Sequence, residues 1–302
     1  MATGDRRYYE VAHSFLVSYR WFSRHPLPFA IICDEENELT DDFDLVVHID
    51  NPLNSFLDKL RLPELAPFDE TIFIDSDCLA YRDLNGLWPI FAKSGDFAPC
   101  GIEINIDYRY GWFRKEDTGI FQDKVKFTMI LQGGIYYMRK GRLEEFSKTC
   151  RYILDHYDSF KFSGYPYIIP VDEQIIALAC AVHGFHPARP YDRVFCYYPL
   201  CGSVKADILK GRLSYKYGPE FLYSQGRYLI HWSFLETQRD LYKDQVAALA
   251  KAVSEGRRPS LLWEVRGRLL DLFYPVVRRA QAAVSRLIPC GLKGWLYKKL
   301  FS

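Results

Sequence analysis

Apolar residues recur along this chain in two rhythms. From Tyr9 to Arg24 the spacing is helical, with Val11, Phe15, Tyr19 and Phe22 on one face. Pro28–Cys33 and Leu45–Ile49 are short apolar runs that predict buried strands, and Asn54–Leu60 predicts a short helix. Thr71–Ile74 is continuous, apolar and β-branched, the pattern of a central parallel strand covered on both faces. Phe97–Pro99 suggests another strand. Ile130–Met138 is interrupted by two glycines and then ends as an apolar strand. Arg142–His156, Asp172–His183 and Lys243–Val253 are helical, and Tyr228–Ile230 is a late strand. Strands alternating with helices predict an α/β fold with a mainly parallel sheet. There is no internal repeat.

Composition adds one asymmetry. The net charge is +1, but residues 256–302 hold ten Lys/Arg against two Asp/Glu, a net +8, which leaves −7 on residues 1–255. This predicts two parts: a body over 1–255 and a basic amphipathic helical tail over 256–302. The tail ends Trp295-Leu296-Tyr297-Lys298-Lys299-Leu300-Phe301, which suits an anionic membrane surface. An acidic body argues against nucleic acid. The eight cysteines form no Cys-x-x-Cys pair, and several sit inside apolar runs as reduced core thiols do. A cytoplasmic setting, peripheral on the inner face of a membrane, is the expectation; an excised lumenal domain would read the same. No run approaches the ~18 apolar residues of a transmembrane helix.

The chemistry starts where the Thr71–Ile74 run stops. Asp75-Ser76-Asp77 places two carboxylates one residue apart at a strand end, where ligands bind in open α/β sheets. Side chains at i and i+2 of an extended chain point the same way, so Asp75 and Asp77 could share one hard cation such as Mn²⁺ or Mg²⁺. The alternative is a strand-end turn with two solvated carboxylates.

Phe68–Asp77, followed by Asp83-Leu84 and Leu87-Trp88, resembles the family 8 type retaining glycosyltransferases, the relatives of glycogenin and of bacterial lipopolysaccharide galactosyltransferases. The resemblance spans roughly residues 1–240 in motif order. It implies the GT-A nucleotide-diphospho-sugar transferase fold, Rossmann-like, with a UDP-sugar donor, a divalent metal and a saccharide or lipid-linked acceptor. Ala2-Thr3-Gly4-Asp5 with Tyr8 is similar to the family's first strand end, which cradles uracil and ribose. Lys59 stands where the family has a basic residue near the donor. Gln132-Gly133-Gly134 is similar to its Asn-x-Gly turn, and Asp172-Glu173 to its Asp-Gln pair. His231 follows a late strand, as the family's third metal ligand does after the two aspartates, here Asp75 and Asp77. Other readings stand beside these: Thr3 and Asp5 as caps of the first helix, Gly133-Gly134 as a plain turn, and Asp172 and Glu173 as charges offsetting a helix dipole.

Two departures qualify the likeness. The family's lysine after the histidine is missing from His231-Trp232-Ser233-Phe234-Leu235-Glu236, leaving Arg239 or Lys243 as substitutes. Glu173 holds the place of a glutamine, and an ionisable carboxylate under a sugar ring opens a route through a covalent intermediate. The family implies retention by a front-face route, with Asp172 or Glu173 countering positive charge at the anomeric carbon. Aromatic residues Tyr108, Tyr110, Trp112, Tyr165 and Tyr167 mark the expected acceptor region. Two rivals remain. Ile72–Leu79 also resembles the first motif of haloacid-dehalogenase phosphatases, and a GT-A-like binding protein without activity would share every motif.

Overall fold

The computed structural model describes residues 1–107, 111–162, 170–188, 194–217, 224–225 and 227–259, with Val265, Leu269, Phe273, Val276 and Arg279 beyond. The strands are β1 (Ala30–Cys33), β2 (Leu45–His48), β3 (Glu70–Ile74), β4 (Cys78–Ala80), β5 (Phe97–Asn105), β6 (Phe127–Arg139), β7 (Phe195–Tyr197), β8 (Cys201–Asp207), β9 (Arg212–Tyr217), β10 (Ser224–Gln225) and β11 (Leu229–His231). The α-helices are α1 (Arg6–Phe22), α2 (Leu62–Leu65), α3 (Trp88–Phe91), α4 (Glu144–Asp155), α5 (Asp172–His183) and α6 (Asp240–Ser254). The chain divides into two compact units: Met1–Ala12, Pro28–Ser76 and Gly86–Tyr191 form one; His13–Leu27, Asp77–Asn85 and Asp192–Ser302 form the other.

In the first unit Ala2 bridges to Cys33 in parallel, and β1 runs parallel to β2. A second sheet has the order β3-β6-β5, antiparallel throughout. Helix α5 covers β6, and α4 packs on α5. Phe97 is the hub of the core: its ring lies 4.5 Å from Phe146 and 5.7 Å from Tyr136, all three buried. Each such ring contributes about 1.5–3 kcal/mol by leaving water. Helix α5 is apolar nearly all round, with Ile175, Leu178, Ala179 and Cys180 fully covered, so it forms an interior element.

In the second unit β11 pairs parallel with β7 and antiparallel with β4, and β8-β9-β10 form an antiparallel ribbon. Trp232, with no exposed surface, stacks 4.5 Å from Tyr198 and meets Tyr242 of α6 edge-on at 5.4 Å. The Ser18 hydroxyl accepts from the Ala80 amide, and the Gln245 side chain accepts from the Ile208 amide.

One expectation is corrected. Thr71–Ile74 reads as a parallel strand, yet β3 pairs antiparallel with β6. Uninterrupted apolarity carries nothing about strand direction, and the expected cover on both faces is not met either, since only Phe73 of β3 is buried. Helix α5 spans Asp172–His183 as predicted, and α1 buries Val11, Phe15, Tyr19 and Phe22. Of the expected acceptor aromatics, Trp112 is a buried core residue; Tyr108, Tyr110, Tyr165 and Tyr167 lie outside the described residues, as does most of the tail. No helix among the described residues is long and apolar enough to cross a membrane.

Candidate functional site

The first-strand segment is held by a residue that the sequence reading missed. Ala2 donates to the Ile32 carbonyl at 2.9 Å, which seats the chain start beside β1. Gly4, at φ +77°, turns the backbone so that its amide meets the Asp34 carboxylate at 3.0 Å. The Tyr9 hydroxyl donates to the same carboxylate at 2.5 Å. Burial and this carboxylate push the Tyr9 phenol well up. In the sequence, Asp34 opens the polar run Asp34-Glu35-Glu36-Asn37 after an apolar stretch, the ordinary signature of a turn. Asp5 accepts from the Arg7 amide at 2.9 Å and pairs with the Arg7 guanidinium, so it caps α1. Tyr8 lies in the first turn of that helix, and Thr3 is half-buried.

At the end of β3, six predicted residues converge within the first unit: Lys59, Asp75, Gly133, Gly134, Asp172 and Glu173. Lys59 Nζ donates to Asp75 Oδ2 at 2.8 Å and to the Gly133 carbonyl at 3.0 Å, and lies 3.8 Å from Asp172 Oδ2. The Asp75 amide donates to the Gly134 carbonyl at 2.9 Å. A Cβ on Gly133 would stand 3.1 Å from Asp172 Oδ2, Glu173 Cγ and Glu173 Oε1, so any larger residue would have to push these two side chains back by a few tenths of an ångström. The Gly133 amide donates to Glu173 Oε1 at 2.7 Å, and the Tyr136 hydroxyl donates to Asp172 Oδ2 at 3.3 Å. Gln132 precedes the turn, half-buried on β6 and paired with Cys100. Lys59, expected near the donor, is drawn into the carboxylates themselves.

Asp77 belongs to the second unit and follows Asp75 in the sequence with the buried Ser76 between them. Pairing of Cys78 with His231 sets the carboxylate beside the imidazole: His231 Nε2 lies 3.1 Å from Asp77 Oδ1, both side chains about one-eighth exposed. Tyr197 on β7 flanks the imidazole at 5.1 Å. Two carboxylates and one imidazole are a donor set that suits Mn²⁺. Arg239, one of the two residues read from the sequence as candidates for the missing lysine's place, pairs with Glu236 and lies over the Tyr198 ring.

Burial holds the Asp172 carboxyl above the usual carboxylate range, with Lys59 opposing the shift and Asp75 adding to it. The folded state therefore binds this proton more tightly than the unfolded chain does. The resulting penalty is absent below the unfolded carboxylate pKa, near 3.8, and complete above the raised folded one. Asp172→Asn is thus expected to melt higher than wild type at pH 7, with the gain vanishing toward pH 3.8; thermal denaturation across that range checks it.

No family model matches the sequence, and no curated protein matches it. Among solved structures, the chain is similar to a glutamine-to-glutamate active-site variant of the galactosyltransferase LgtC, at 15% identity and TM-score 0.53, covering 88% of this chain and 98% of that one. A further LgtC structure, in complex with donor and acceptor sugar analogues, aligns at 15% identity over 65% of this chain and 74% of that one, TM-score 0.46. The bifunctional glycosyltransferase WbbM aligns at 12% identity over 83% of this chain and 43% of that one, TM-score 0.43. The first of these matches shows the fold: this chain has the α/β GT-A fold of LgtC.

Proposed function

We propose that this protein is a metal-dependent glycosyltransferase that moves a hexose from a nucleotide-sugar, a UDP-sugar first of all, to a saccharide or lipid-linked acceptor with retention. The observation that carries the reading is the strand-end carboxylate Asp75 with Lys59, the close-packed Gly133 turn and the acidic start of α5, gathered within one unit of a fold shared with LgtC. The fold also supports the transferase reading of the Asp75-Ser76-Asp77 motif over the phosphatase one.

Asp75, Asp77 and His231 each offer one ligand atom to a divalent ion. A bound Mn²⁺ or Mg²⁺ supplies positive charge to the departing diphosphate. Ala2, Thr3, Asp5 and Tyr8 line the nucleoside end, with Lys59, Ser76, Gln132, Gly133 and Gly134 toward the diphosphate and sugar. The acidic pair Asp172 and Glu173 gives the negative field that steadies positive charge at the anomeric carbon. A thermal-shift series tests this: UDP-hexoses with Mn²⁺ should raise the melting temperature, and the same sugars with EDTA should not. Equal shifts in both would remove the metal from the account.

The tail is assigned to an anionic membrane surface, at the cytoplasmic face. Val265, Leu269, Phe273 and Val276 are helical and roughly half exposed, at spacings that put them on one stripe. Near such a surface each Lys or Arg contributes about 1 kcal/mol, so a chain ending at Glu255 is expected to lose roughly hundredfold or more in affinity for phosphatidylglycerol vesicles. Vesicle co-sedimentation measures it; undiminished binding by the shortened chain would place the contact elsewhere.

A further inference from the structure

The register between β5 and β6 is broken at the site. Pro99 faces Tyr136, but the next β5 residue, Cys100, faces Gln132. Gly133, Gly134 and Ile135 therefore have no partner on β5 and form a bulge, a device that re-aims backbone beside functional sites. On the other edge of β6 the ladder to β3 holds through Ile135, and the Gly134 carbonyl takes the Asp75 amide. The Gly133 carbonyl takes Lys59, which in turn binds the Asp75 carboxylate. The bulge thus holds Asp75 twice, by its backbone and through Lys59. What fixes the bulge is the Gly133 amide, left outside the β5 ladder and donated to Glu173 Oε1 at 2.7 Å, with the side chain packed where a Cβ would be.

We infer that Glu173 is a positioning residue: it pins the Gly133–Ile135 bulge and so sets Asp75 for the metal and keeps Lys59 bonded to Asp75, without itself bonding to the sugar. This rests on the donor-site reading above and narrows it, because a carboxylate committed to a backbone amide is a poor candidate for attack on the anomeric carbon. Pinning the bulge needs an acceptor oxygen on residue 173 and not the charge that Glu173 adds to the field at the start of α5. A glutamine side chain could meet it and an alanine could not.

The test uses the full chain as wild type, Glu173→Ala and Glu173→Gln. Hydrogen exchange is followed over peptides from 127–139, with those from α1 as the internal control for folding, and Mn²⁺ affinity is titrated calorimetrically in the presence of UDP. In Glu173→Ala the 127–139 amides should exchange faster while α1 stays protected, and Mn²⁺ affinity should fall about 10–100-fold, as when a partner behind a metal ligand is lost. Glu173→Gln should restore both. Unchanged exchange over 127–139 in the alanine variant, or a glutamine variant that resembles it, would overturn the inference. A wild type that binds no Mn²⁺ would instead bring down the donor-site reading, and the exchange data would still decide whether Glu173 pins the bulge.

Discussion

Asp77→Asn is expected to cut metal-dependent turnover of a UDP-hexose by about a thousandfold, the worth of several kcal/mol of charge stabilisation at the leaving diphosphate. The substitution keeps size and shape and removes one negative charge. Its backbone should hold, because the Asp77 carbonyl still accepts from the Trp232 amide at 3.1 Å and Cys78 still pairs with His231. The loss should therefore come with a near-native melting curve. His231→Gln should share the defect, since the imidazole lies 3.1 Å from the same carboxylate. Steady-state rates over a Mn²⁺ titration are the measurement. Turnover within a few-fold of wild type at every metal concentration would sink the assignment.

Lys59→Met acts on stability and activity together. The ammonium is the cation that the structure sets between Asp75 and Asp172, and the three side chains are only 16%, 15% and 7% exposed. Removing one partner from a buried ion pair costs about 3–5 kcal/mol, because the remaining charge stays desolvated. Residual solvent access brings the expectation to about 3 kcal/mol, or roughly 5–10 °C in melting temperature for a chain of this size. The sign of its pH dependence follows from Asp172. Without Lys59 that carboxyl loses the interaction opposing its upward shift, so its folded pKa rises further. The deficit should be largest near neutral pH and shrink as the pH falls into the carboxylate range. Denaturation curves at several pH values check this; a constant deficit would mean that Lys59 matters for packing alone.

Most of the elements that hold this site were legible in the sequence, for identifiable reasons. Helix α5 has an acidic first turn, a long apolar body and a glycine after His183, and it begins and ends where those signals put it. Asp75 was marked by the abrupt stop of an apolar run. The ribbon β8–β9 gave no comparable signal: Cys201–Asp207 is only partly buried, so no face needed to be apolar. Strand β4 was hidden by its length, three residues straight after a motif that resembles a turn. Long-range partners were out of reach. Lys59 and Asp75 are sixteen residues apart, and Glu173 and Gly133 are forty apart; only the folded chain brings the members of each pair together. Asp34 gives no signal of its own because it is the first of three carboxylates after a strand, and only the folded chain shows that Gly4 and Tyr9 converge on it.

The central claim is that the carboxylates at the end of β3 and the start of β4 serve a metal-bound nucleotide-sugar. The most direct measurement is UDP release from UDP-hexoses by the full chain, with Mn²⁺ and with EDTA. The account predicts slow release with Mn²⁺, faster release once an acceptor glycan is present, and none with EDTA. Release that is indifferent to the metal, or none from any nucleotide-sugar in Mn²⁺ while a phosphate monoester is hydrolysed, would contradict it.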